Sequence, residues 1–150
     1  MASFRPALKK VLAYEGGYAN DKDDAGGETY KGIARRFHST SIMWKEIDRI
    51  KSSIKGNTSS DMSKVKTINK LLENNDIVTK EVERIYKKNY WDALHLDEMR
   101  SEKIAYQLFE TAVNMGVSAA IKLAQKTLNV PQTGKFNYSW FVRLKDLRDG

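Results

Sequence analysis

Glu15, Asp24 and Thr29 are the residues whose types and spacing could carry out a reaction. Eight residues separate the first carboxyl group from the second, and four more separate that from the hydroxyl. Cleavage of a glycosidic bond calls for such a set: one carboxyl gives a proton to the leaving oxygen, the other stabilises positive charge or activates water. A threonine hydroxyl can orient that water. Glu15 sits at the end of the first predicted helix, where unsatisfied carbonyls disfavour an ionised carboxylate by about 0.3–1 kcal/mol. With burial against Tyr14 or Tyr18, the same field raises the carboxyl pKa and keeps on it the proton a general acid needs. An exposed glutamate at a frayed helix end is the plain alternative, and position alone favours it. Asp21 and Asp23 compete with Asp24 for its role, and an Asx turn accommodates any of the three. Gly26 and Gly27 permit a sharp turn and let a sugar approach the backbone. Tyr18 and Tyr30 are candidate subsite residues, since a tyrosine can stack on a sugar face while its hydroxyl hydrogen-bonds.

These side chains need elements to hold them. Phe4, Ala7, Leu8, Val11 and Leu12 recur at i, i+3, i+4, i+7 and i+8 behind Ser3, which predicts an amphipathic helix over residues 4–15, ended by Gly16-Gly17. Residues 16–34 break that period with glycines, aspartates and an asparagine, the signature of tight turns and a small irregular hairpin. Ile47, Ile50 and Ile54, then Val65, Ile68, Leu71 and Leu72, predict two helices separated by the polar residues 56–60. Thr79 is read as the cap of a helix reaching about Ala93, and Ser101 as the cap of the most apolar helix, which runs to Gly116. Helices over about 118–128 and 138–147 complete the pattern, giving a mainly helical chain. Tyr86, Tyr90 and Trp91, at i, i+4 and i+5, read as core rather than cleft. Asn114, polar within an apolar helix, must find partners if buried. It either ties the helix to the hairpin or reaches a substrate. With no repeat or linker, residues 1–150 read as a single domain.

Composition narrows the classes. There are 26 Lys+Arg against 19 Asp+Glu, a formal charge of +7, two histidines and no cysteine. A chain of 150 residues can bury roughly 68–70% of its unfolded surface, so a core needs no staple. Disulfides and thiolate metal sites are excluded, and His38 and His95 are isolated, so no metal and no cofactor is expected. Gly26–Gly32 lacks the Gly-Lys-Ser/Thr ending of a phosphate loop, and there is no nucleophile elbow. No run approaches the ~18 apolar residues of a membrane span. The opening residues are broken by charge before a signal-peptide core forms, so action outside the cytoplasm would require release or export by another route. Counted by segment, residues 1–30, 31–72 and 73–150 carry −1, +7 and +1. That basic middle is either a solvated helix face or an attractor of a polyanion: nucleic acid, anionic lipid or an acidic wall polymer.

Glu15-Gly16-Gly17-Tyr18, then Asp24-Ala25-Gly26-Gly27-Glu28-Thr29 with Gly32-Ile33, resembles the signature of glycoside hydrolase family 108. These are N-acetylmuramidases that occur as phage endolysins and as bacterial secretion activator proteins. Ile85-Tyr86-Lys87-Lys88-Asn89-Tyr90-Trp91 and Leu108-Phe109-Glu110-Thr111-Ala112-Val113-Asn114-Met115-Gly116, followed by Ala120 and Gln125, are similar to the family's later blocks in the expected order. The likeness spans roughly residues 4–130. The Glu–Asp–Thr arrangement also resembles that of phage-type lysozymes of another family, whose spacer before the threonine is one residue longer. Departures are Glu110 where aspartate is frequent, longer basic helices over 44–72, and Asn129-Val130-Pro131-Gln132-Thr133-Gly134 in place of an Asp-Gly turn and glycine-rich continuation. Residues from about 100 to 150 thus resemble a shortened peptidoglycan-binding element.

The resemblance implies an α+β lysozyme-like fold, a helical bundle with a small hairpin at the active-site cleft. It implies a monomeric hydrolase of peptidoglycan glycan strands, bacteriolytic in a phage lysis setting, with Glu15 as the acid. Asp24 and Thr29 are the candidates for the opposite side of the sugar ring, and Tyr18, Tyr30 and Asn114 for substrate binding. The basic middle would draw the enzyme to anionic lipid or wall polymer. The rivals are a non-catalytic wall-binding or secretion-assisting module and, last, a basic helical nucleic-acid binder.

Overall fold

The computed structural model describes residues 1–20, 27–54 and 62–149. Seven α-helices among them are α1 (Phe4–Leu12), α2 (Ile42–Ser52), α3 (Met62–Glu73), α4 (Asp76–Tyr86), α5 (Glu102–Met115), α6 (Val117–Thr127) and α7 (Tyr138–Lys145). Strands β1 (Tyr18–Asn20), β2 (Glu28–Tyr30) and β3 (Ile33–Ala34) form one antiparallel sheet in that order. The expected mainly helical α+β lysozyme-like architecture is therefore present. The chain divides into a helical unit, Met1–Val11 with Tyr86–Gly150, and a hairpin unit, Leu12–Ile85.

In the hairpin unit, α2 starts earlier than its isoleucines alone indicate, because Ser41 caps it by accepting from the Met43 N–H at 3.1 Å. Its inner face buries Met43, Trp44, Ile47 and Ile50, the stripe expected of an amphipathic helix. The Ser41 hydroxyl also donates to Glu81 Oε2 of α4 at 2.7 Å, so one side chain caps α2 and ties it to α4. From α3, Ile68 and Leu72 are fully buried, whereas Leu71 turns outward. The start of α4 lies before Thr79: Asn75 is the cap, its Oδ1 accepting from the Val78 N–H at 3.0 Å.

The helical unit packs around four aromatic rings. Phe4 meets Trp91 and Phe109 edge-on at 5.5 and 5.9 Å, Trp91 meets Phe109 at 5.4 Å, and Tyr86 meets Phe109 at 6.4 Å. Tyr86 and Trp91 are core residues as expected, but not on one continuous α-helix. A π-turn over Lys87–Trp91 replaces the predicted last turns and carries Trp91 inward, where its indole N–H donates to Asp97 at 2.7 Å. Ser101 caps α5 through the Ile104 N–H at 3.0 Å, and the helix stops at Gly116, whose φ of +101° suits glycine. Buried Gln125 of α6 holds the segment that follows the helix: its Oε1 accepts from Gly134 N–H at 3.0 Å and its Nε2 donates to Thr133 at 2.9 Å.

Because Phe109 touches three other rings, Phe109→Ala is expected to cost about 3–5 kcal/mol, measured as a loss of unfolding free energy in urea.

Candidate active site

The candidate site belongs to the hairpin unit. Helix α1 ends at Leu12, three residues before Glu15, and a turn follows in which the Glu15 N–H donates to the Leu12 carbonyl at 3.2 Å. The predicted helix to residue 15 is thus too long. Glu15 lies just past the last turn, and its own amide satisfies one of the carbonyls whose field it was expected to feel. Its side chain is half-buried. Tyr14 gives it no cover, being 86% exposed. Among the described residues no side chain hydrogen-bonds or ion-pairs with the Glu15 carboxyl.

After Glu15 the chain enters β1 through Gly16 and Gly17. The first amide of the strand, Tyr18 N–H, donates to Asn69 Oδ1 of α3 at 2.7 Å. Tyr18 pairs with Tyr30 and Ala19 with Thr29, and across β2 Thr29 faces Ala34 and Tyr30 faces Ile33. Lys31 and Gly32, at φ +48° and +79°, make the two-residue connection between β2 and β3, a turn that needs positive φ at both positions. Alternation along the strands puts Tyr18, Glu28 and Tyr30 on one side and Ala19, Thr29 and Ala34 on the other. Half-buried Thr29 is thus paired on either side with a small alanine, Ala19 and Ala34.

The tyrosines depart from expectation. Tyr18 and Tyr30 are only 4% and 2% exposed, so neither offers a ring face to a sugar. They pack the hairpin instead, because β-strand alternation directs both into the core. Burial and the nearby negative charge of Glu73 push the Tyr30 hydroxyl up to about 12. Asn114 is exposed on the last turn of α5, in the helical unit, so burial does not oblige it to find partners there. Asp24, with Asp21, Asp23 and Gly26, lies outside the described residues.

Glu28 is the residue that sequence reasoning passed over. Its carboxylate accepts from the Tyr18 hydroxyl at 2.5 Å, from Lys51 Nζ at 2.7 Å and from Arg35 Nη1 at 2.9 Å. Arg35 also grips Asp48 with both terminal nitrogens, at 2.7 and 2.5 Å, and lies 5.4 Å over the Trp44 ring. Lys51 sits 5.2 Å over the Tyr18 ring. Burial works against ionisation of Glu28, but the donors from Lys51, Tyr18 and Arg35 outweigh it and hold the carboxyl below the usual range. Burial first, and then the bond to Glu28, push the Tyr18 hydroxyl up. The local signal for Glu28 is only a polar residue after Gly27; its partners lie seven, ten and 23 residues away along the chain.

At neutral pH, Glu28→Gln is expected to destabilise the fold by about 2 kcal/mol, the scale of losing charge-assisted bonds at a half-buried site. A depressed folded-state pKa means that the stabilisation is complete above the unfolded value of about 4.3 and is lost as pH falls through the folded value. Urea unfolding from pH 7 to pH 3 should therefore show the wild type converging on the variant at the acid end.

The comparisons with known proteins follow the same lines. The solved structure of SagA from Brucella abortus superposes with a TM-score of 0.62 at 22% identity, covering 96% of this chain and 69% of that one, a likeness of fold. A search of the curated proteins finds no match. The family described as Glycosyl hydrolase 108 matches residues 8–116, a span holding Glu15, the whole hairpin and Asn114. The chain therefore belongs to glycosyl hydrolase family 108, and is at that level a peptidoglycan hydrolase of the muramidase type.

Proposed function

We propose that the chain cleaves the β-1,4 bond between N-acetylmuramic acid and N-acetylglucosamine, with Glu15 as the general acid. One observation carries the reading: of the two glutamates of the motif, Glu28 is clamped by three donors and kept ionised, while the half-buried Glu15 carboxyl has no such clamp among the described residues. A carboxylate gripped by two cations cannot hand over a proton. A carboxyl without those donors, as Glu15 is among the described residues, can serve as the acid.

In the proposed reaction Glu15 protonates the bridging oxygen as the glycosidic bond breaks, and positive charge develops on the muramic acid ring. The Thr29 hydroxyl orients the attacking water, and Asp24 is the carboxylate that stabilises the charge or takes the water's proton. Glu15, left as carboxylate, recovers its proton from solvent. Exposed Lys45, Lys66 and Lys70 add attraction to an anionic wall polymer or lipid. No helix of the described residues is long and apolar enough to cross a membrane.

Glu15→Gln is expected to lower muropeptide release from purified peptidoglycan by about 10²–10⁴-fold, with an unchanged circular-dichroism spectrum. Retention of activity within a few-fold of wild type contradicts the assignment. Thr29→Val should lower the rate by roughly 10- to 100-fold, the cost of a misplaced reactant, and Thr29→Ser, which keeps the hydroxyl, should recover most of it.

A further inference from the structure

Two glycines precede β1, and the structure treats them differently. A Cβ at Gly16 would meet nothing within 4 Å, whereas a Cβ at Gly17 would stand 2.4 Å from Asn69 Oδ1 and 2.8 Å from Asn69 Cγ. Neither glycine has a positive φ. Gly17 therefore matters for space and not for backbone freedom: it lets the Asn69 side chain come against the chain and accept the Tyr18 N–H at 2.7 Å. Asn69 is itself held. Its helix α3 buries Ile68 and Leu72 completely on either side of it, so the oxygen it presents is fixed to the core of the hairpin unit. This contact joins residues 51 apart in sequence.

We propose that Asn69 is a positioning residue for Glu15, acting through the Tyr18 amide with Gly17 as the cleft that admits it. The proposal rests on Glu15 being the acid. Glu15 lies in a short span fixed at one end by its own N–H on the Leu12 carbonyl and at the other by the Asn69–Tyr18 bond. No clamp on the carboxyl itself is needed. Donors of the kind that grip Glu28 would hold the carboxyl ionised, with no proton to give, whereas a backbone anchor fixes its direction without that effect. The role assigns a function to one polar side chain of the basic helix α3: its inner edge sets the site while Lys66 and Lys70 face solvent.

Because Gly17 and Asn69 occupy adjoining space, their substitutions are predicted to be non-additive. Gly17→Ala pushes the Asn69 side chain away and breaks the bond. Asn69→Ala breaks the bond and also makes room, so adding Gly17→Ala to it costs nothing further. The test measures two quantities for the full chain: hydrogen exchange at the Tyr18 amide, with Ile68 and Leu72 amides reporting that α3 stays folded, and kcat and KM on soluble glycan fragments of peptidoglycan. The expected result is faster Tyr18 exchange in Asn69→Ala, Gly17→Ala and the double variant alike. It is accompanied by a kcat at least tenfold down in each, KM within about threefold, and recovery of slow exchange and of kcat in Asn69→Asp, which keeps the acceptor oxygen. Unchanged Tyr18 exchange, or single effects that add in the double variant, overturns the anchor. Faster exchange with kcat intact overturns the positioning role, and the activity of Glu15→Gln then says whether the acid assignment falls with it.

Discussion

The Glu28 carboxylate, shared by Tyr18, Arg35 and Lys51, is the interaction on which the hairpin unit depends. It joins β1, β2, the short turn after β3 and α2 at one half-buried point, where its side chain is 12% exposed. A lone carboxylate there would be costly to desolvate; two cations and a hydroxyl make it cheaper to keep ionised than to protonate. The consequence for chemistry is a division between two glutamates of one motif. The carboxylate that holds the structure is saturated with donors and unsuited to give a proton. The other, Glu15, has no side-chain partner among the described residues and is the acid of the proposed reaction.

The same hub accounts for part of the charge distribution. Residues 31–72 carry the whole of the chain's formal excess of +7. Arg35 and Lys51 are spent on Glu28 and Asp48, and Arg49 pairs with Glu46, so these cations are structural partners before they are attractors of a polyanion. Among the described residues, Lys45 on α2 and Lys66 and Lys70 on α3 stand exposed.

Local order was the most legible feature. The span of α5, from the Ser101 cap to Gly116, follows the apolar spacing because cap, stripe and stop all act within a few residues of one another. The glycines and aspartates between residues 16 and 34 marked a hairpin but not its third strand, which is two residues long and leaves no periodic trace. The π-turn at Lys87–Trp91 was invisible because tertiary packing of Trp91, not propensity, selects it. Tyr18 and Tyr30 looked like exposed loop aromatics until strand pairing turned both inward. Glu28 and Asn69 were missed for one reason: each is defined by partners distant in sequence, which spacing within a motif does not encode.

The central claim is that one glutamate carries the proton and the other carries the fold. It is tested most directly by counting new N-acetylmuramic acid reducing ends per folded molecule, with folded fraction taken from urea titration of the same samples, for Glu15→Gln and Glu28→Gln side by side. The account predicts a stable, inactive Glu15 variant and a weakened Glu28 variant whose surviving folded molecules still cut. A Glu15 variant that cuts, or reducing ends of N-acetylglucosamine from the wild type, would contradict it.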